Sequence, residues 1–232
     1  MRRGLRVLGT ALVVCGLGAV VWALVVWRWQ DPFTALYTKF EQHRLAGQYD
    51  RLVAGYHARR LESASLAVVR RTIAEEARRY RLATHQGQAI GRIIVPRLHL
   101  NMVFVDGTDE SSLEKGPGRE LQTYMPGEGR LVYIAGHRTT FLAPFSHIER
   151  LRRGDSVTLR LPYATFVYRI RSHRVVAADD LSVLRSPRHE LLELQACHPR
   201  FFATHRYVAY ALPDKVLPLH GPAYAISAIA TR

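Results

Sequence analysis

The stretch from Leu191 to Ala211 reads Leu-Leu-Glu-Leu-Gln-Ala-Cys-His-Pro-Arg-Phe-Phe-Ala-Thr-His-Arg-Tyr-Val-Ala-Tyr-Ala, and it predicts two β-strands joined by a loop. In its first half every second residue is apolar, which is the pattern of a half-buried strand. Pro199 ends this strand, because proline has no N–H to donate to a sheet. The second half, which begins at Arg206, is rich in the strand-favouring residues Val and Tyr. We therefore expect a β-hairpin.

This hairpin places a cysteine opposite an arginine. Glu193, Gln195 and Cys197 lie on the face of the first strand that is turned away from its apolar residues. If the two strands pair, Cys197 and Arg206 face each other at the mouth of the loop. A fixed positive charge stabilises an ionised thiol, so this arrangement is typical of a cysteine nucleophile. A structural cysteine at a strand end fits the local sequence equally well.

A cysteine nucleophile needs an acid–base partner, and His137 is the candidate. It stands in the run Leu131-Val-Tyr-Ile-Ala-Gly-His-Arg-Thr-Thr, where an apolar strand ends at a glycine just before the histidine. His137 and Cys197 are thus both predicted at strand ends, where a rigid sheet presents side chains to a substrate. The rival histidines are His189, His198 and His205.

Two of the rival residues are disfavoured by their positions. His198 follows Cys197 directly, and neighbours on a strand point to opposite faces. The rivals of Arg206 are Arg138 and Arg200, and Arg200 lies within the loop, where its position is less fixed. His189, His205 and Arg138 remain open as alternatives to the set of Cys197, His137 and Arg206.

The Ala-Gly-His-Arg-Thr-Thr segment, followed by Leu-x-x-Cys-x-Pro…Arg, resembles the sortases, cysteine transpeptidases that attach proteins to bacterial cell walls. The resemblance covers roughly residues 90 to 212. Further segments occur in the family's order: Ile93-Ile-Val-Pro-Arg-Leu-His-Leu-Asn, Val105-Asp-Gly-Thr-Asp, Lys115-Gly-Pro-Gly and Arg153-Gly-Asp-Ser-Val-Thr-Leu. The Gly-His-Arg-Thr-Thr and Cys-His-Pro-Arg-Phe segments are most similar to class E, the housekeeping-type sortases of actinobacteria.

The resemblance implies an enzyme with Cys197 as nucleophile, His137 as general acid–base and Arg206 as the residue that holds the substrate carbonyl or oxyanion. The implied substrates are surface proteins that end in Leu-Pro-x-Thr-Gly or Leu-Ala-x-Thr-Gly sorting signals. The thiolate attacks the Thr carbonyl, the Thr–Gly bond breaks, and a thioester forms. An amine of a peptidoglycan precursor, or a pilin lysine, then resolves the thioester.

The sequence departs from the family pattern Thr-Leu-x-Thr-Cys at two positions, where Glu193 and Ala196 replace the threonines. Ala196 removes a hydroxyl next to the nucleophile. The alternative function is therefore a catalytically impaired barrel that binds peptide or wall polymer. Papain-like proteases place their cysteine before the histidine, and L,D-transpeptidases place Ser-His-Gly before the cysteine, so neither family fits.

Composition limits the class of partner. The 232-residue chain has a formal net charge of +14, which favours anionic surroundings such as phospholipid headgroups or phosphate-bearing wall polymers. No zinc ribbon, recognition helix or basic–aromatic RNA motif is present, so nucleic acid is not an expected partner. The two cysteines, Cys15 and Cys197, are not expected to pair, because Cys15 lies in an apolar segment. We expect no cofactor and no obligatory metal, since Asp106, Asp109 and Glu110 are the nearest approach to a calcium cluster.

The N-terminal segment predicts a membrane anchor. Residues Val7 to Trp27 carry no charge and are mostly apolar, and about 20 such residues suffice to span a bilayer as a helix. No Ala-x-Ala-like cleavage site is evident, so we expect the anchor to be uncleaved. Trp22, Trp27 and Trp29 fit an interfacial aromatic belt. Together with the family resemblance, this predicts a single-pass protein of the cell membrane with a cytoplasmic N-terminus and an extracellular catalytic domain.

The predicted organisation has five parts: a cytoplasmic tail (1–6), a transmembrane anchor (7–27), a helical stalk or linker (28–88), a catalytic domain (89–213) and a C-terminal tail (214–232). From Phe33 to about Gln86 the composition favours two or three helices, broken near Gly47 and Gly55. A stalk or lid and a partly ordered linker are equal alternatives for this segment. From Ala89 onward, many short strands separated by turns predict a mostly β fold, a closed barrel of about eight strands with short helices.

Overall fold

The structure is a computed structural model that describes residues 2–28 and 32–226. Within these ranges the α-helices are α1 (Arg2–Arg28), α2 (Pro32–Ala54), α3 (Leu66–Ala83) and α4 (Glu110–Leu113). The first five strands are β1 (Ala89–Val95), β2 (Leu100–Asp106), β3 (Gly118–Arg119), β4 (Leu131–Ala135) and β5 (Ser156–Arg160). The remaining strands are β6 (Ala164–Ala177), β7 (Leu191–His198), β8 (His205–Pro218) and β9 (Tyr224–Ala225). Short 3₁₀ helices cover Pro96–Leu98, Ile148–Arg150 and Leu181–Leu184.

Eight of these strands close into a barrel. Their order is β6-β5-β1-β2-β3-β4-β7-β8, and β6 also pairs with β8, which joins the two edges of the sheet. The ninth strand, β9, adds to β8 at Lys215 and Val216. Because β4 and β7 run parallel, their carboxyl ends lie at the same end of the barrel. The predicted mostly β fold, a closed barrel of about eight strands with short helices, is confirmed.

The alternation along β7 is the one that its sequence predicts. Leu192, Leu194 and Ala196 are buried in the main core, which includes residues from most of the barrel strands. Residues on the opposite side of β4, β7 and β8 form a second cluster, here called the outer cluster. Its buried members are Leu131, Tyr133, Ala135, Val176, Val183 and Val208. Side chains on both faces of β7 are therefore packed.

The segment predicted as a stalk or linker forms two helices that pack on the barrel. α2 runs without interruption through Gly47, so the predicted break there is wrong, and it ends at Ala54, beside the break predicted at Gly55. Leu45 and Tyr49 of α2 pack against Ala89, Val103 and Val105 of β1 and β2. α3 contributes to the main core through Val69, Ile73, Ala77 and Tyr80. These two helices therefore belong to the same folded unit as the strands.

Gln42 joins α2 to the barrel through backbone hydrogen bonds. Its Nε2 donates to the carbonyl oxygens of Val103 and Lys115, both at 2.8 Å, and its Oε1 accepts from the Val103 N–H at 2.8 Å. The strand beside β2 on this side, β3, is only two residues long and pairs with β2 at Val105 and Asp106. The Gln42 amide thus takes the place of a neighbouring strand at Val103, whose polar backbone groups need partners when they are covered.

α1 carries the apolar N-terminal segment. Its stretch Arg3–Leu24, 22 residues, is long and apolar enough to cross a membrane, and none of it is buried against the rest of the protein. This helix fits the predicted single-pass anchor. Of the predicted aromatic belt, Trp29 and the side chain of Trp27 lie outside what the structure describes.

The C-terminal part of the fold extends past the boundary predicted at residue 213. β8 runs to Pro218, and β9 follows at Tyr224–Ala225. Tyr224 and Ile226 pack against the main core. The predicted C-terminal tail (214–232) therefore includes the end of β8, the strand β9 and side chains packed on the core, and residues 227–232 lie outside the described residues.

Candidate functional site

β4, β7 and β8 bring the three predicted site residues to neighbouring positions. Cys197 is the cross-strand partner of Arg206 in the antiparallel ladder between β7 and β8, as the hairpin prediction requires. On the other side of β7, Ala135 of β4 is the parallel partner of Gln195. His137 lies in the loop two residues beyond Ala135, and Cys197 lies two residues beyond Gln195. The histidine, the cysteine and the arginine are therefore at the same end of the barrel.

The same three strands carry a regular grid of residues on the side of the sheet opposite the main core, here called the outer face. Cys197 and Arg206 continue this face at the end of β7 and β8, because side chains alternate along a strand. Two rows of residues cross β4, β7 and β8 on this face. The row nearer Cys197 consists of Ala135, Gln195 and Val208, and the next row consists of Tyr133, Glu193 and Tyr210. The side chains in these rows are mostly buried, with Glu193 3% and Gln195 8% exposed, so other segments cover much of this face.

His137 is half-buried beside a strained loop. Its ring centroid is 4.9 Å from that of Phe141. Phe141, Leu142 and Ala143 all have positive φ angles, of 52°, 58° and 40°, a conformation that costs free energy for residues other than glycine. Nε2 of His137 is buried and has no hydrogen-bond partner among the described residues.

Burial also sets the protonation of His137. It lowers the pKa of His137 below its ordinary value, because a low-dielectric surrounding disfavours the charged imidazolium, and the charge of Glu110 acts in the opposite direction. A neutral imidazole with an unpartnered nitrogen is suited to accept a proton from a thiol.

The glycine before His137 is required by close packing. A Cβ at Gly136 would lie 2.7 Å from the ring of Phe145 and 3.1 Å from Pro144. Phe145 is fully buried, and its N–H donates to the carbonyl oxygen of His137 at 3.1 Å. The Gly-His pair therefore allows the loop to turn tightly over Phe145 and places His137 at the end of β4.

Arg138, which the sequence left as a rival to Arg206, links the loop after β4 to the end of β7. It is 6% exposed. Nη1 donates to the carbonyl oxygen of Cys197 at 3.1 Å and lies 2.8 Å from Nδ1 of His198, and Nη2 bonds to Glu149 at 2.8 Å. Burial and the charge of Arg138 lower the pKa of His198, which favours a neutral ring that accepts this hydrogen bond. Sequence reasoning missed this linkage, because its only trace is the position of Arg138 next to His137.

Arg206 is held at the mouth of the loop between β7 and β8. Its Nη1 donates to the carbonyl oxygens of Ala203 and His205, at 2.8 Å and 3.1 Å. A guanidinium has five N–H donors, so donors remain for a substrate oxygen. The two hydrogen bonds orient the guanidinium and leave its other N–H donors available.

The other rivals lie before β7 or in and beside the loop between β7 and β8. His189 precedes β7 at the end of the strand that is remote from Cys197. His205 is exposed, and its Nδ1 lies 2.9 Å from the Thr204 hydroxyl. Arg200 lies in the loop, with its guanidinium 5.7 Å from the ring centroid of Phe201. Within residues 2–28 and 32–226, no three His, Cys, Asp or Glu side chains converge as ligands for a metal.

The two departures from the family pattern lie on opposite faces of β7. Ala196 is fully buried in the main core, so a threonine there would direct its hydroxyl into the core and away from Cys197. Glu193 lies on the outer face, the face of Cys197, and is 3% exposed. The replacement that changes the site is therefore the glutamate.

Comparison with known proteins connects this geometry to a family. Residues 93–214, just over half of the chain, match the family model of the Sortase domain. Sortase D of Bacillus subtilis is 35% identical over 129 residues, which is 53% of this chain and 63% of that protein. Sortase A of Listeria monocytogenes is 21% identical over 126 residues, which is 54% of this chain and 57% of that protein. The matched region thus spans less than two thirds of either relative.

Solved structures share the fold. A sortase D5 transpeptidase of Clostridium perfringens superposes with a TM-score of 0.60 at 22% identity, over 75% of this chain and 98% of that one. Sortase C of the same species gives 0.58 at 19% identity, over 72% and 96%. Sortase E of Streptomyces avermitilis gives 0.52 at 27% identity, over 58% and 93%. Because these structures carry three different class names, they do not single out class E.

Proposed function

Because this chain belongs to the sortase family, we propose that it is a cysteine transpeptidase with Cys197 as nucleophile, His137 as general acid–base and Arg206 as the residue that binds the oxyanion. The observation that supports the proposal is the strand register: Cys197 pairs with Arg206, and Gln195, two residues before Cys197, pairs with Ala135, two residues before His137. Cys197 and Arg206 lie on the paired strands β7 and β8, and His137 lies in the loop that follows β4, which comes from a distant part of the sequence. This is the arrangement that a thiol, its base and an anion-binding cation need.

The first half of the proposed reaction forms an acyl-enzyme. The Cys197 sulfur attacks the Thr carbonyl carbon of a sorting signal, and its proton passes to Nε2 of His137. The carbonyl oxygen becomes an oxyanion, which the N–H groups of Arg206 stabilise. When the Thr–Gly C–N bond breaks, His137 returns the proton to the leaving amine, and the Thr carbonyl remains on Cys197 as a thioester.

The second half transfers the acyl group. An amine attacks the thioester carbonyl, His137 takes the proton of that amine, and Arg206 again stabilises the oxyanion. The C–S bond then breaks, and the proton returns to Cys197. The proposed acceptor is an amine of a peptidoglycan precursor or a pilin lysine, and the proposed donors are surface proteins with Leu-Pro-x-Thr-Gly or Leu-Ala-x-Thr-Gly signals.

The proposal includes a place in the cell. The apolar helix α1 anchors the protein in the cell membrane, with the N-terminus in the cytoplasm and the barrel outside, where sorting signals and wall precursors meet. We propose class E character from the Gly-His-Arg-Thr-Thr and Cys-His-Pro-Arg-Phe segments. The alternative of an impaired, purely binding barrel rested on Ala196, and the burial of that side chain on the other face of β7 does not favour it.

The test uses the full-length chain in detergent micelles, with Cys15→Ala so that Cys197 is the remaining thiol. Fluorogenic peptides with either signal are incubated with and without an amine acceptor, and Cys197→Ala, His137→Ala and Arg206→Ala are run beside them. We expect the chain without these substitutions to cleave the peptide and transfer it to the amine. Each of the three substitutions should lower the rate of this reaction by at least about a hundredfold. Absence of cleavage, together with a Cys197 thiol no more reactive to iodoacetamide than free cysteine, contradicts the proposal.

A further inference from the structure

Glu193 is a buried carboxylate on the strand and the face of the nucleophile. It precedes Cys197 by four residues on β7, which corresponds to about 13 Å along a strand. Its Oε2 is buried and has no hydrogen-bond partner among the described residues. A buried carboxylate without a partner costs free energy, so its presence on this face needs a reason.

The other buried carboxylates of the described chain are all bonded. The Glu41 carboxylate pairs with Arg44 at 2.7 Å, and that of Asp106 pairs with Arg119 at 2.6 Å. Glu76 and Glu190 accept hydrogen bonds from the hydroxyls of Tyr56 and Tyr168, at 2.6 Å and 2.7 Å. The chain has 33 Lys and Arg residues against 19 Asp and Glu. Glu193 thus has no basic partner among the described residues, although the protein is rich in Lys and Arg.

The surroundings of Glu193 are apolar with two hydroxyl-bearing rings. Its cross-strand neighbours are Tyr133 on β4 and Tyr210 on β8. Both pack in the outer cluster, together with Val183 of the 3₁₀ helix Leu181–Leu184. Burial raises the pKa of Glu193 to about 8. The carboxyl is therefore mostly neutral at neutral pH until a cation is brought to it.

We propose that Glu193 forms a subsite for a basic side chain, lysine or arginine, of the substrate peptide. The inference rests on the proposed function, because it takes the peptide to react at Cys197 and to extend along the outer face in place of the segments that cover Glu193. An extended peptide advances about 3.3 Å per residue, so the residue over Glu193 is three to four positions before the attacked carbonyl. Its ammonium or guanidinium supplies the charge and the N–H donors that this carboxylate lacks.

Proton release on binding makes the affinity of the proposed subsite for a basic peptide depend on pH. A bound cation favours the ionised carboxylate, so binding of a basic peptide by the protonated form of Glu193 releases a proton. The preference for a basic over a neutral peptide therefore increases as pH rises toward 8 and levels off above it.

Tyr133 and Tyr210 stay protonated in this range because burial raises the pKa of both hydroxyls. The 3₁₀ helix Leu181–Leu184 has no titratable side chain. Charged groups that act on the two tyrosines are Glu120, Arg174, Asp180 and Arg206.

The experiment measures binding apart from turnover. The full-length Cys197→Ala chain in uncharged detergent micelles is titrated with labelled sorting-signal peptides, and fluorescence anisotropy reports affinity. The two peptides of the first pair differ only at the residue immediately before the Leu of the signal, which is lysine in one and norleucine in the other. In the second pair, lysine or norleucine replaces that Leu. Each pair is measured between pH 6 and 9, in three backgrounds: unchanged at position 193, Glu193→Gln, and Asp179→Asn. Asp179 is an exposed carboxylate just before the 3₁₀ helix and controls for a general loss of negative charge.

We expect one lysine peptide to bind about tenfold more tightly than its norleucine partner at pH 8, as a desolvated charge pair allows. The ratio falls toward one at pH 6 and in Glu193→Gln, and it is retained in Asp179→Asn. Equal affinities for both pairs, or a preference that survives Glu193→Gln, overturns the subsite.

Turnover by the chain with Cys197 intact separates the two proposals. Cleavage without a Glu193-dependent preference leaves the transpeptidase standing and refutes the subsite. A Glu193-dependent preference in binding without any cleavage supports the subsite and refutes the transpeptidase. No binding of any peptide refutes both.

Discussion

His137 shows at the residue scale how burial prepares a group for chemistry. Its ring lies against Phe141, and its unpartnered Nε2 is closed off from solvent. Removing water from around an imidazole makes the neutral form more stable relative to the charged one. The residue is thereby ready to accept a proton at a pH where an exposed histidine is partly protonated.

The first prediction concerns pH. Since burial lowers the pKa of His137, the acid limb of kcat/KM is expected below the ordinary histidine value of 6.5, with activity rising as pH increases through it. The charge of Glu110 raises this pKa, so Glu110→Gln should move both the limb and the NMR titration of the His137 ring to lower pH. Glu114→Gln is the control, because Glu114 is not among the groups acting on His137. A shift to higher pH in Glu110→Gln would contradict this account.

The second prediction compares one substitution at two glycines. Gly136→Ala puts a Cβ 2.7 Å from the Phe145 ring, and such overpacking costs about 1–3 kcal/mol of unfolding free energy. At Gly47, inside α2, the nearest atom to the added Cβ is the end of the Arg51 side chain at 3.7 Å. Gly47→Ala should therefore stabilise the fold by about 0.5–1 kcal/mol, because alanine is the better helix former. Urea unfolding checks both, and equal effects would show that the clash at Gly136 is not real.

At the scale of elements, the short strand β3 leaves β2 with backbone groups that a helix must satisfy. α2 does this through the Gln42 amide, which both donates to and accepts from Val103. The same helix reaches the loop beside the site, where Tyr37 lies 6.5 Å from Phe141, ring centroid to ring centroid. Thus α2 both supports the barrel and borders the His137 loop.

A third prediction tests this support. Gln42→Ala removes the partners of covered backbone groups in β2, and leaving such groups unsatisfied costs about 1–3 kcal/mol. We expect a lower urea midpoint and faster hydrogen exchange at the Val103 amide. His43→Ala, an exposed neighbour on α2, should change neither. An unchanged Val103 exchange rate in Gln42→Ala would mean that the amide does not carry this bond in solution.

At the scale of the whole molecule, the barrel is completed by helices that precede the matched family region. α3 places Val69, Ile73, Ala77 and Tyr80 in the main core, and the Tyr80 hydroxyl donates to the carbonyl oxygen of Ile90 at 2.8 Å. A chain that begins at Ala89 therefore lacks part of its own core. The folded unit that contains the barrel therefore includes α2 and α3.

The fourth prediction follows from this packing. A chain beginning at Pro32 should unfold cooperatively, whereas one beginning at Ala89 should bind ANS and show poorly dispersed amide NMR resonances, because its core face is uncovered. Circular dichroism melting of the two chains gives a second comparison. A cooperative transition of equal midpoint in the shorter chain would show that α3 covers the barrel without stabilising it.

The sequence alone was sufficient for features that local patterns encode. The alternation of residues 191–197 predicted which face of β7 carries Cys197, and Pro199 with the Val- and Tyr-rich run after it predicted the hairpin that pairs Cys197 with Arg206. These succeed because a strand has a side-chain period of two and a hairpin joins neighbours in the chain. The family motif then pointed to His137 among several histidines.

Only the tertiary structure decided which distant segments meet. Three features join residues that are far apart in sequence: the parallel pairing of β4 with β7, the Arg138 bond to the Cys197 carbonyl, and the packing of α3 in the main core. The isolation of Glu193 is of the same kind, since a carboxylate on a polar-looking strand face is buried only when other elements cover it. No local period encodes such contacts, because they depend on how the surfaces of separate elements fit together.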